Sequence, residues 1–308
     1  MLPVALGGRE ALAILASLPV SSFFFLFFIM VILSAINSVR LRILFWDAHS
    51  RISPLAFFRL YLATELASKI TPGGSGALPA ALALLRRYDV QPAQSISIFV
   101  VSAGLDILVL SVFLFIVVVI SGIALGSITS QVGIVACFCV VITLAISTVP
   151  SFRAIAWTRL QLLEAATAKK GAPLRWLAVI IRGLGVFFQN LHLLGLGRTT
   201  AAMLVSIAYW FLHLSVLYFV VVEMGGRIPW PDAMLVQFAA MGLGHLSLSP
   251  GGAGVVEVTV ITGLSPWMPV SMAAAAVLVW RLFMQYFYIV AGACALLAER
   301  MVIIHRGA

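Results

Sequence analysis

The sequence predicts an all-α integral membrane protein, a polytopic helical bundle with two oppositely oriented re-entrant helical hairpins arranged as an inverted repeat. Three observations carry that expectation. Hydrophobic residues fill 63% of the 308 positions and charged residues only 9%, and the mean hydropathy is +1.15, so little chain is left for a water-facing domain. Several runs reach the roughly 20 apolar residues that a spanning helix needs. Two hexads of nearly the same spelling, Thr71-Pro72-Gly73-Gly74-Ser75-Gly76 and Ser249-Pro250-Gly251-Gly252-Ala253-Gly254, interrupt apolar stretches in the two halves. Proline removes a backbone donor and glycine admits unusual dihedrals, so each hexad opens a helix where lipid offers no replacement hydrogen bonds. Backbone of that kind is tolerated only around a protein-lined or watered cavity.

Residues 1–308 read as a single transmembrane domain. The first span covers about residues 17–39; the Phe23 to Phe28 run resembles a signal peptide, but no small-residue cleavage site follows it. A first half-repeat occupies about 53–122. It begins with an apolar arm over 55–71, about 25 Å as a helix and short of a hydrocarbon core of roughly 30 Å. After the hexad a return arm runs from Ala77 to Leu85 and ends on Arg86-Arg87, and a span over about 94–122 follows. A further span is expected near 130–150. Residues 151–198 interleave charges with Trp157, Leu160, Trp176 and Phe187 and are expected to lie on the cytoplasmic surface as an interfacial linker. Next comes a span near 200–222. The second half-repeat, about 230–299, repeats the plan: an arm over 233–248, the second hexad, a return arm over 255–264, and a last span over 270–298.

The excess of base over acid, +9, reports orientation rather than a nucleic-acid partner. If both hairpins are re-entrant and five spans cross, Arg40, Arg42, Arg86, Arg87, Lys169, Lys170, Arg300 and their neighbours fall on one side, with only Arg9 and Arg227 flanking the other. The positive-inside rule then places the carboxyl terminus in the cytoplasm of a plasma (inner) membrane. It also makes the hairpins enter from opposite faces, the arrangement on which many secondary transporters build alternating access. The alternative is two kinked ordinary spans per half. Cys137, Cys139 and Cys294 have no metal-ligand spacing and read as apolar filling.

Of ten acidic residues, Glu65, Asp106 and Glu257 sit inside apolar stretches, and Arg281 lies deep in the last one. A charge at the bilayer centre costs on the order of 2.5–3.5 kcal/mol on insertion scales, so these groups are expected to face a shared interior. Glu257 and Arg281 suit either an ion pair that locks helices or a working pair. Asp106 has no cation near it in sequence and is expected to act in function rather than folding. The amino terminus of each return arm offers a partial positive charge and free donors. With Lys69 and Arg281 these ends favour an anionic group. His245, beside the second hexad, suits a proton sensor or headgroup ligand as well as a packed, hydrogen-bonded histidine. The candidate binding or coupling set is therefore Glu65, Lys69, Pro72, Gly73, Gly74, Gly76, Asp106, His245, Pro250, Gly251, Gly252, Gly254, Glu257 and Arg281. No hydrolase elbow, phosphate-binding loop, zinc-ligand pair or dinucleotide fingerprint occurs, so no catalytic residue, metal or cofactor is assigned.

The segments SLSPGGAGVVEVTVITGL and VLVWRLFMQYFYIVAGACALL, with TPGGSGALPAALALLRR and Asp106 in the first half, resemble the flippase-like transmembrane domain of lysylphosphatidylglycerol synthases. Pro250, Gly251, Gly252, Gly254, Glu257 and Arg281 match that family's pattern. Leu78 and Ala81 stand where the family usually carries a Glu and an Arg, and Ser102-Ala103 replaces an acidic-basic pair, so Glu65 and Lys69 are candidates to supply the lost charges. The family's extra amino-terminal span and the aminoacyl-transferring domain are not expected here, and neither is lipid lysylation. What the resemblance implies is movement between leaflets of an anionic phospho- or polyprenyl-type lipid or lipid-linked intermediate. Two other classes are kept: an integral-membrane lipid or glycosyl transferase, and a non-catalytic partner subunit of an envelope-biosynthesis enzyme.

Overall fold

The computed structural model describes residues 10–11, 13–45, 52–121, 194–247 and 249–306, with the backbone alone for 118–121 and 300–306. The expected span at 130–150, Cys137 and Cys139, most of the 151–198 linker, and Arg9 lie outside the described residues. Among those described the chain is helical, and its only extended pairing is a single bridge between Pro72 and Pro250.

After a short helical stretch over 13–17, ten α-helices follow among the described residues: α1 (Val20–Leu44), α2 (Pro54–Ile70), α3 (Ala77–Leu85), α4 (Pro92–Ser121), α5 (Leu196–Leu214), α6 (Val216–Glu223), α7 (Trp230–Leu246), α8 (Val255–Leu264), α9 (Val270–Arg281) and α10 (Tyr288–Arg306). Four stretches are long and apolar enough to cross a membrane: Val20–Leu44, Pro92–Val117, Leu196–Glu223 and Val270–Glu299. They coincide with four of the five spans expected from the sequence. The protein is an all-α polytopic membrane protein.

The two halves share a plan in their local structure. Helix α2 has 17 residues and α3 has 9; α7 has 17 and α8 has 10. In each half the long arm and the short arm pack on one another across the hexad. Ser53 caps α2 by accepting from the Ala56 N–H at 3.2 Å, and Pro54 opens the helix where its missing donor costs nothing.

Two long helices are not continuous. Between α5 and α6 the ladder is interrupted at Ser215, and Gln237 of α7 inserts its amide there. Its Nε2 donates to the His213 carbonyl at 2.5 Å and its Oε1 accepts from the Leu217 N–H at 2.8 Å. Gln237 is fully buried, and these two bonds satisfy backbone groups that no water can reach. Between α9 and α10 lies a π-helical turn, Leu282–Phe287. Such turns are rare and occur mostly as local bulges, frequently at functional sites.

Tight contacts hold the bundle together. At Gly292 on α10 a Cβ would lie 2.5 Å from the Leu62 carbonyl, so α10 and α2 touch backbone to backbone. Polar contacts between helices add to this: Glu299 accepts from Tyr88 at 2.9 Å and lies 3.5 Å from Arg59, while Ser22 donates to Glu223. Membrane helices gain little from the hydrophobic effect against each other, so close small-residue packing and interhelical hydrogen bonds supply the cohesion.

Candidate functional site at the meeting of the two hexads

The hexads turn alike through their Gly-Gly pairs and differ at their last residue, where Gly76 has φ −75° and Gly254 has φ +91°. Gly73 and Gly74 have φ of +58° and +72°; Gly251 and Gly252 have +59° and +68°. The hydrogen bonds correspond as well: Gly74 N to Thr71 O (3.3 Å) and Ser75 N to Pro72 O (3.2 Å), against Gly252 N to Ser249 O (3.0 Å) and Ala253 N to Pro250 O (3.3 Å). These left-handed positions require glycine, because a side chain there crowds its own backbone. Gly252 is doubly constrained, since a Cβ would sit 2.7 Å from the Cα of Gly244. The antiparallel bridge between Pro72 and Pro250 then brings the two turns into contact.

A partly open cavity of about 80 Å³ lies at this meeting point, space for several water molecules. Both hexads line it through Gly73, Gly74, Gly251 and Gly252. Its polar wall takes positive charge from Lys69 and Arg281 and is completed by His213 and His245, with Ser68, Thr71 and Gln285 beside them. Among the described residues no carboxylate lines it. Glu65 lies 3.7 Å from Lys69, one helical turn back, and Glu257 lies 2.9 Å from the Arg281 Nε.

These side chains differ in freedom. Arg281 is almost buried and its guanidinium is engaged on every side: Nε faces Glu257, Nη1 donates to the Gly251 carbonyl at 2.7 Å and to Gln285, and Nη2 reaches the Gly252 carbonyl at 3.3 Å. It clamps the second turn. Lys69 keeps 26% of its side chain exposed, with Nζ 5.4 Å from the centre of the Tyr288 ring. His245 is exposed, with Nδ1 2.7 Å from the Met241 carbonyl. Lys69 and His245 are thus the groups able to turn toward a ligand.

Three findings refine the expectations. One donor at the amino terminus of each return arm is already taken: the Gly76 N–H donates to Thr71 Oγ1 at 2.8 Å and the Gly254 N–H to Glu257 Oε2 at 2.6 Å. Short-range side-chain caps reach those donors first. Arg40 is not a loop charge. It is buried within α1 and bonds Asp106 of α4 through both Nη atoms, with Ser102 Oγ at 2.8 Å and Ser206 Oγ at 3.3 Å as further acceptors. Asp106 therefore has a partner, 66 positions away in sequence, and also accepts from Trp210 Nε1 at 2.7 Å.

Of the candidate residues, Lys69, Gly73, Gly74, His245, Gly251, Gly252 and Arg281 meet at the cavity. Glu65 and Glu257 stand behind it, Pro72 and Pro250 form the bridge, and Gly76 and Gly254 begin the return arms. Asp106 belongs to a separate cluster joining α1, α4 and α5. Sequence reading missed His213, Gln285 and Arg40. His213 carried a signal, being a histidine inside an apolar span. Gln285 lies four residues after Arg281 and so on the same helical face. Arg40 follows Asn37 and Ser38, a polar group at the end of an apolar run.

The sequence matches the family described as Lysylphosphatidylglycerol synthase TM region over residues 1–292. The chain belongs to this family. It is also similar to a UPF0104 membrane protein of Pyrococcus horikoshii, 34% identical over 61 residues. That stretch is 20% of this chain and 18% of the relative's length. Membership makes this an integral membrane protein related to lipid handling.

Proposed function

We propose that the protein is a flippase-like transporter that moves an anionic phospho- or polyprenyl-type lipid, or a lipid-linked intermediate, across the inner membrane. The observation that carries this reading is the basic cavity built jointly by two equivalent helix breaks. Irregular backbone at membrane depth is the usual place for a transporter's substrate, and each break contributes two glycines to the wall. In this reading the hairpins enter from opposite faces, the carboxyl terminus is cytoplasmic, and Lys69 and His245 receive the headgroup while Arg281 holds the second turn in shape. The Asp106–Arg40 pair ties α4 to α1, and Asp106 and Glu257 gate the path or couple it to protons.

The test is reconstitution. Proteoliposomes carrying an anionic phospholipid with a fluorescent headgroup are treated with a membrane-impermeant quencher; transport is expected to expose the protected inner-leaflet half. Lys69→Ala is expected to weaken headgroup binding about tenfold, the value of one charge-assisted hydrogen bond. Protein that moves no candidate anionic lipid by itself, yet turns over a lipid-linked donor, would establish the transferase reading instead. Activity that appears only with a second envelope protein would make it a partner subunit.

A further inference from the structure

An apolar groove of about 730 Å³ runs along the outside of α1, α2 and the π-helical turn, lined by residues including Phe24, Phe27, Phe58, Leu62, Tyr286 and Val290. Its volume is in the range of sites that hold one ligand. We infer that this groove holds the hydrocarbon chain of the lipid whose anionic head sits in the basic cavity. The inference rests on the transport reading for the head and adds a separate site for the tail.

Two elements contribute to both the groove and the cavity, and this sharing points to one occupant for the two. On α2, Phe58 and Leu62 line the groove, while Lys69, seven residues after Leu62 and on the same helical face, lines the cavity. The two positions are about 10 Å apart along the axis. On the π-helical turn, Leu282, Phe283, Tyr286 and Phe287 face the groove, and Met284 and Gln285 face the cavity. The wide turn therefore presents one side to a charged head and the other to a chain. Aromatic contacts close the inner wall, with ring centres 6.2 Å apart for Phe23 and Phe283 and 5.5 Å for Phe27 and Phe287. Phe24, Tyr286 and Val290 remain 70%, 55% and 64% exposed at the rim. A single molecule with a phosphate-like head and a long chain satisfies both chemistries at this separation.

The full-length protein in phosphatidylcholine vesicles is photolabelled with hexadecyl phosphate bearing a diazirine in its chain, and the labelled residues are mapped by mass spectrometry. Labels are expected to concentrate on Phe24, Tyr286 and Val290 over Ile107 and Leu204, which are as exposed, at 66% and 62%. Excess butyl phosphate, which carries the head without the chain, and Lys69→Ala are each expected to remove that preference. Equal labelling of Ile107 and Leu204, or groove labelling that neither treatment reduces, would mean ordinary boundary lipid and overturn the inference. Val290→Trp, which fills the rim, is expected to stop movement of long-chain lipid while butyl phosphate still binds. If wild-type protein moves lipid and Val290→Trp moves it equally, the groove fails and the transport reading stands. If groove labelling shows the expected competition but no lipid moves, the transport reading fails and the groove stands.

Discussion

Asp106 and Arg281 lie in the long helices that follow the two hairpins, and each is neutralised by a different route. Arg281 meets Glu257 from the neighbouring return arm, whereas Asp106 is met by Arg40 from α1. Both pairs are largely removed from water, so breaking either leaves an uncompensated charge. Asp106→Asn is therefore expected to lower stability by about 3–5 kcal/mol, because Arg40 stays buried without its carboxylate. Replacing both members together, Arg40→Met with Asp106→Leu, is expected to cost far less. Thermal unfolding in detergent measures the difference, and equal losses would show that the pair contributes nothing as a pair. Lys69 behaves differently: its partner Glu65 is only a turn away and both are partly exposed, so Lys69→Ala is expected to change the melting temperature little and to act on anion binding.

At the scale of elements, the hexads matter as turns that must be held open. Arg281 spans the carbonyls of Gly251 and Gly252 and the carboxylate of Glu257, so the second turn, α8 and α9 share one hub. Single substitutions Glu257→Gln and Arg281→Ala are expected to be strongly non-additive, with a coupling of about 0.5–3 kcal/mol in a double-mutant cycle. Strict additivity in stability and in transport would remove the hub. Gly252→Val is expected to be worse than either, since it places a branched side chain at φ +68° and against Gly244. Gln237→Leu strips two bonds from the α5/α6 interruption and is expected to cost about 1–3 kcal/mol for each buried backbone group left unpaired. A fall in melting temperature of the purified variant checks it.

For the whole molecule, the decisive question is the direction in which each hairpin enters. With matching arms of 17 and 9 or 10 residues, neither hairpin has an arm of ordinary spanning length at its return side. Single cysteines at Ser53 and Arg87 are therefore expected to react from the same face with a membrane-impermeant thiol reagent, and cysteines at Trp230 and Ser265 from the opposite face. Labelling of Ser53→Cys and Arg87→Cys from opposite faces would make the first hairpin a crossing element and dissolve the inverted repeat.

Hydropathy and the two hexads were enough to read the membrane class, the positions of four long apolar helices, the two breaks and the family, because these depend on local composition and on residues within a few turns. The Glu257–Arg281 pairing was also within reach, since both residues lie in one half-repeat among few other charges. Contacts between distant segments were not. No periodicity links Arg40 to Asp106 or Gln237 to the carbonyl of His213, so a charge at a helix end read as a loop cation and a paired carboxylate read as free. The donors at the return arms looked open because sequence places Glu257 near Gly254 without saying which way its carboxylate turns. Only the folded chain decided that the two hexads touch through Pro72 and Pro250, that their cavity is walled by bases with the acids behind, and that one π-helical turn faces both that cavity and an apolar groove. Those facts follow from packing, in which low-dielectric surroundings make every unpaired charge expensive and so select the partner that happens to lie within reach.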